Sequence, residues 1–109
     1  MCGILGYNGK FEKNKFKESL DLLDHRGPDG KGTYFDNDCL VGLGHTRLSI
    51  IDISDNGSQP MFSANSNAII TFNGEIYNFK ELRTSLKLDG YSFNSNSDTE
   101  VLLNLYLQK

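Results

Sequence analysis

The sequence predicts an α+β fold, and three observations carry the prediction. Short apolar runs of strand length, such as Ala68-Ile69-Ile70-Thr71-Phe72, alternate with stretches whose apolar residues recur at helical spacing. Glycine, asparagine and proline pairs punctuate the boundaries between them. No internal repeat, low-complexity tract or linker divides the 109 residues, so they form one domain or part of one.

Each element follows from local chemistry. Residues 2–7 read as a buried strand, stopped by the turn pair Asn8-Gly9. Phe16, Leu20 and Leu23 recur at i, i+4 and i+7 among lysines and acids, which predicts an amphipathic helix over 13–24. His25-Arg26-Gly27-Pro28-Asp29-Gly30 then makes a sharp connection, since Pro28 cannot continue a helix. Strands are expected at 32–36, 39–45 and 46–53, the last rich in β-branched residues. The stretch 55–67, dense in Ser, Asn and Gly, is expected as a surface loop, and 68–72 as a strand running into Asn73-Gly74-Glu75. A helix over 78–88 opens on Asn78 and Glu81 at capping-pair spacing, with Phe79, Leu82 and Leu86 on one face. Ser97 and Glu100 repeat that spacing and open a last helix through Val101, Leu102, Leu105 and Tyr106.

Composition narrows the function. Apolar residues at 38% together with 11 glycines are enough for a core. A net charge of −3, with both signs interspersed, gives no basic stripe for nucleic acid. No apolar run reaches the length of a spanning helix and no basic, apolar leader opens the chain, so neither a membrane nor export is expected. Two cysteines, Cys2 and Cys39, without a CxxC pair make neither a disulfide framework nor a zinc site, and a reduced cytoplasm is the expected compartment. Cys39 reads as an inert core thiol.

Four places carry candidate chemistry, and each has a plainer alternative. Cys2 lies in the uncharged run Met1-Cys2-Gly3-Ile4-Leu5-Gly6. It is either a small buried hydrophobe or, with Met1 removed, a nucleophile bearing its own α-amine as base. Arg47 in His45-Thr46-Arg47 is either a snorkelling surface residue or a planar fork for a carboxylate. Asn73-Gly74 is either a β-turn or a pair of donors, one side-chain amide and one backbone N–H, converging on an oxyanion. Asp98 either begins a helix or accepts from a ligand ammonium. Taken together they match the needs of one reaction on an amino-acid amide: a thiolate, an oxyanion hole, a carboxylate fork and an ammonium acceptor.

Met-Cys-Gly-Ile-Leu-Gly, His-Arg-Gly-Pro-Asp-Gly, Gly-His-Thr-Arg-Leu-Ser-Ile-Ile-Asp, Phe-Asn-Gly-Glu-Ile-Tyr-Asn and Ser-Asp-Thr-Glu occur in this order from residue 1 to about residue 100. They resemble the glutaminase domain of glutamine-hydrolysing asparagine synthetases, within the class II glutamine amidotransferases. Amidophosphoribosyltransferases and glucosamine-phosphate synthases share the Cys-Gly, His-x-Arg and Asn-Gly. They are not similar at Arg26–Asp29, Leu48–Asp52 or Glu75–Asn78. The asparagine-synthetase branch also includes sugar amidotransferases and relatives acting on peptides.

The resemblance implies an N-terminal-nucleophile hydrolase sandwich of antiparallel sheets flanked by helices. It implies glutamine hydrolysis to glutamate and ammonia, with the ammonia feeding ATP-dependent asparagine synthesis from aspartate. Catalysis would fall to Cys2, Asn73 and Gly74. Substrate binding would fall to Arg47, Leu48, Ser49, Ile50, Ile51, Asn73, Gly74, Glu75 and Asp98, while Arg26 and Asp29 would order the nearby turn. No metal is expected here. ATP and Mg²⁺ belong to a C-terminal synthetase domain absent from this chain, which reads as the N-terminal half of a partial type-2 amidotransferase domain over 1–109. The implied partners are glutamine, the synthetase domain and, through exposed sheet edges, a homodimer. A product that keeps the motifs by descent and serves only in binding or assembly is the competing reading.

Overall fold

The computed structural model describes residues 2–48 and 54–108. Three strands form an antiparallel sheet: β1 (Gly3–Asn8), β2 (Gly30–Phe35) and β3 (Val41–Arg47), with β3 in the centre. Gly3 pairs with Thr46 and Asn8 with Val41 on one side of β3; Gly30 pairs with Arg47 and Phe35 with Gly42 on the other. This register assigns the two faces, because side chains alternate along a strand. Leu5, Tyr7, Gly42, Gly44 and Thr46 share one face; Ile4, Leu43, His45 and Arg47 share the other.

Helix α1 (Lys13–Asp21) lies on the first face. Its buried Phe16 and Leu20 sit over Gly42 and Gly44, where a Cβ on Gly44 would stand 3.0 Å from Leu20 Cδ1 and 3.1 Å from Phe16 Cε1. The glycines therefore let the helix approach the sheet closely. Phe11, Phe16 and Phe35 extend this layer as an aromatic cluster, with ring centroids 5.2–5.7 Å apart.

The helix is three residues shorter than its periodicity predicts. Leu22 N–H and Leu23 N–H bond back to Ser19 O and Leu20 O, tightening the last turn, and a 3₁₀ turn follows at Asp24–Arg26. Leu23 leaves the helical stripe to pack against Gly3 and Thr46.

The second face is crossed by the segment around Gln59 and Pro60, which passes so close to Gly32 that any Cβ there would overlap the Gln59 carbonyl. The segment leads into a hairpin of β4 (Met61–Phe62) and β5 (Ile69–Ile70). Phe62 meets Tyr34 of β2 edge-on at 5.6 Å between centroids. Beyond the hairpin α3 (Asp98–Gln108) packs on β5 and on α2 (Phe79–Leu88). The layer order is thus helix, sheet, hairpin, helix pair: a small mixed fold with antiparallel sheets, in keeping with the α+β expectation.

Several elements differ from expectation. The strands expected at 39–45 and 46–53 meet in one continuous β3, because both neighbours pair with it up to Arg47; residues 49–53 lie outside the described residues. Cys39 is not a core thiol. It sits half-buried in the β2–β3 turn at φ 55°, where Asp36 Oδ1 accepts the N–H groups of Leu40 and Val41. The polar stretch 55–67 contains β4, and its Ser63, Asn65 and Asn67 bond with one another and with Ala68 as the hairpin tip. At two residues, β4 is too short to leave a period in the sequence. Asn78 makes no side-chain cap on α2.

Candidate functional site

Cys2 stands one residue before β1, beyond the Gly3–Thr46 pair, and is held from three sides. Arg26 Nε donates to Cys2 O at 3.1 Å. Gly3 N–H donates to Thr46 Oγ1 at 3.1 Å, and that hydroxyl donates onward to Leu23 O. Leu48 N–H points at Cys2 Sγ from 3.3 Å, and the thiol faces Leu48 O at 3.7 Å. The thiol is therefore pinned against the backbone of Leu48, just past the end of β3. Arg26 orders more than a turn: it fixes the peptide that follows the candidate nucleophile.

Arg47 is buried at the end of β3. Its Nη1 donates to Ser54 O at 2.6 Å and reaches Ser58 Oγ at 3.5 Å, which fixes the plane of the guanidinium. Two residues earlier on the same face, His45 is 1% exposed. His45 Nε2 lies 3.2 Å from Phe72 O; a carbonyl only accepts, so Nε2 carries the proton. Burial, and then the nearby Arg47 charge, push the His45 pKa below its ordinary 6.5, although the bond to Phe72 opposes the shift. This histidine is neutral at pH 7.

The bond to Phe72 explains why the strand expected over 68–72 pairs only at 69–70. Thr71 Oγ1 donates to Gly44 O, Phe72 O accepts from His45, and Phe72 N–H donates to Gln59 Oε1 at 2.6 Å. Side-chain partners replace the ladder and lead the chain out across β3. Asn73 and Gly74 follow in irregular backbone, not in a hairpin turn, with the Phe72 ring folded against Gly74. Glu75 is exposed.

At the far end of this stretch Ile76 N–H donates to Oδ2 of Asp98 at 3.0 Å. Asp98 is 5% exposed and occupies the first turn of α3. Ser97 Oγ accepts Thr99 N–H, which is the expected cap. The reciprocal half of the capping box is absent. Glu100 instead accepts from Asn94 N–H, Ser95 N–H and Ser95 Oγ at 2.6–3.1 Å, and so ties the preceding loop to the helix.

Main chain and three hydrogen bonds between distant residues together link Cys2, Arg47, Asn73, Gly74, Glu75 and Asp98. The path runs from Cys2 through Leu48 and Arg47 along β3 to His45, across to Phe72, and along Asn73–Glu75 to Ile76 and Asp98. Leu48, at the end of β3, is half-buried. Ser49, Ile50 and Ile51 lie outside the described residues. Among the described residues no group of three His, Cys, Asp or Glu side chains could hold a metal ion.

A family model described as a glutamine amidotransferase domain matches residues 1–109. The chain belongs to that family. It is 44% identical to asparagine synthetase [glutamine-hydrolyzing] 1 of Bacillus subtilis (strain 168), over 97% of this chain and 17% of that protein. It is 42% identical to asparagine synthetase [glutamine-hydrolyzing] of Zea mays, over 97% of this chain and 18% of that one. Amidase chry2 of Gibberella zeae is 40% identical over 94% of this chain and 15% of its own length. This amidotransferase chain thus spans less than a fifth of the length of each of these three relatives.

Sequence reasoning about the amidotransferase missed His45, Thr46 and Gln59 as parts of the site. His45 and Thr46 were visible as neighbours of Arg47, but nothing in a strand pattern says which neighbour meets which loop. Gln59 left no signal, because a glutamine before a proline in a polar loop looks like any surface residue.

Proposed function

We propose that this chain hydrolyses glutamine to glutamate and ammonia through Cys2. With Met1 removed, the α-amine of Cys2 takes the thiol proton; the ordinary pKa values of amine and thiol are close enough for transfer near neutral pH. The thiolate attacks the side-chain amide carbon, and the carbonyl electron pair moves onto oxygen. Asn73 and the Gly74 N–H stabilise that oxyanion. The aminium returns its proton to the amide nitrogen, the C–N bond breaks and ammonia leaves. Water then attacks the glutamyl thioester, releasing glutamate and the thiol.

Arg47 takes the substrate carboxylate as a fork, and Asp98, whose Oδ2 already accepts from Ile76 N–H, offers its other oxygen to the ammonium. Leu48, Ser49, Ile50, Ile51 and Glu75 line the pocket in this reading. The surrounding architecture is half of an N-terminal-nucleophile sandwich, residues 1–109 being part of a type-2 amidotransferase domain.

The observation that carries the proposal is the path just described. It connects a thiol at one end, a carboxylate at the other, and an arginine and an Asn-Gly pair between them. Such a set matches glutamine and no simpler amide, because it has a separate partner for each charged end of the substrate. Cys2→Ala is expected to stop glutamate release while leaving the fold intact by circular dichroism. Retained release in that variant overturns the mechanism. Intact mass provides a second check, since a chain that keeps Met1 has no free amine on Cys2.

In the longer protein the ammonia is passed to aspartate in an ATP- and Mg²⁺-dependent, cytoplasmic synthesis of asparagine. Mg²⁺ belongs to the synthetase part in this reading, and among the described residues of this chain no group of three His, Cys, Asp or Glu side chains could hold it. The likeness to Amidase chry2 supports a second acceptor reading, in which ammonia or its equivalent goes to a molecule other than aspartate. Asparagine formed from glutamine, aspartate and ATP by the full-length protein decides for the first.

A further inference from the structure

The three residues Asn73, Gly74 and Glu75 form an arch with both feet clamped by buried side chains. At the first foot, both backbone groups of Phe72 are taken: its N–H donates to Gln59 Oε1 at 2.6 Å, and its C=O accepts from His45 Nε2 at 3.2 Å. At the second foot, Ile76 N–H is held by Asp98 at 3.0 Å. The feet are joined to each other, since Gln59 Nε2 donates to Thr99 Oγ1 at 3.1 Å, next to Asp98 in the first turn of α3. Gln59 and His45 are 9% and 1% exposed. Burial of this order makes each bond costly to lose.

An amide and a backbone N–H act on a developing oxyanion only if their directions are set beforehand, and a displacement near 1 Å costs about 100-fold in rate. Side chains of such short arches have no ladder to fix them. Here the ladder stops at Ile70, and the fixing passes to two side chains from elsewhere, one on β3 and one on the segment that crosses it.

We infer that His45 and Gln59 are positioning residues for the Asn73–Gly74 oxyanion donors, holding the Phe72 peptide by its carbonyl and its N–H respectively. The inference rests on the glutaminase reading above for what the arch does, but the clamp itself can be tested without turnover.

His45→Leu removes the donor, whereas His45→Gln presents a side-chain N–H₂ of similar reach. Amide hydrogen exchange reads the arch directly. In a folded His45→Leu chain, exchange across residues 72–76 is expected to rise at least about 10-fold, with β1 and β3 still protected, and to return most of the way in His45→Gln. Unchanged exchange across 72–76 in a folded His45→Leu chain overturns the inference. If that variant fails to fold, Gln59→Leu carries the same expectation from the other side of the same peptide.

Steady-state kinetics separates positioning from mere support. Loss of the clamp is expected to lower kcat about 10- to 100-fold with KM within about threefold, because Arg47 and Asp98 still bind glutamine. Equal kcat with a raised KM would contradict the assignment. Glutamate release that survives Cys2→Ala would sink the glutaminase reading alone and leave the exchange result standing.

Discussion

Thr46 uses a single hydroxyl twice, accepting from Gly3 N–H and donating to Leu23 O, and it is fully buried. Thr46→Val keeps the shape and strands both partners, which costs about 2 kcal/mol. A urea melt is expected to show that loss, and Cys2, one residue from Gly3, is expected to alkylate faster with iodoacetamide. His45 adds a pH dependence. Its folded pKa lies below the ordinary 6.5, so on acidification the unfolded chain takes up this proton before the folded one. The His45 contribution is therefore complete above about pH 6.5 and is lost as pH falls through the window below it. Melting temperatures at pH 7.5 and 5.5 are expected to differ more for wild type than for His45→Gln, whose side chain does not titrate.

At the scale of elements, α1 and α3 are fastened by different means. Apolar contact holds α1: Leu20 is fully buried against Gly44. Leu20→Ala is expected to cost about 3 kcal/mol. Gly44→Ala is expected to cost about 1–3 kcal/mol by pushing Leu20 and Phe16 outward, since a methyl enters where contacts already stand at 3.0–3.1 Å. Polar contact holds the start of α3. Glu100→Ala leaves the N–H groups of Asn94 and Ser95 without their acceptor, a loss of about 2 kcal/mol that calorimetry would register. Arg83 braces the same loop by donating to Ser95 O and lying over the Phe93 ring. The capping-box spacing Ser97–Glu100 was legible in the sequence. The retargeting of Glu100 to Asn94 and Ser95 was not, because spacing along a helix does not say how the preceding loop folds back.

The whole molecule measures 43 × 29 × 19 Å, and its radius of gyration of 14.3 Å exceeds the roughly 13 Å of a compact chain of this length. Its accessible surface of 6893 Å² is likewise above the roughly 6,100 Å² expected for its mass. Ile4, Tyr7, Phe62 and Tyr106 are among the large apolar side chains left exposed, and β1 and β2 each present an edge. Exposed edges beside apolar surface favour association. Sedimentation velocity is expected to show an average mass that rises with concentration across the micromolar range; a strictly monomeric boundary would contradict this.

The sequence by itself determined the α+β class and the order of the three helices, and it marked Cys2, Arg47, Asn73, Gly74 and Asp98 as the candidates for chemistry. Periodicity, turn residues and ordered motifs are local properties and survive in one dimension. The tertiary structure decided how these residues are brought together. His45 and Gln59 reach Phe72 from 27 and 13 residues away, and Asp98 reaches Ile76 from 22. Bonds of that separation depend on sheet register and on the path of a loop, which no local pattern encodes.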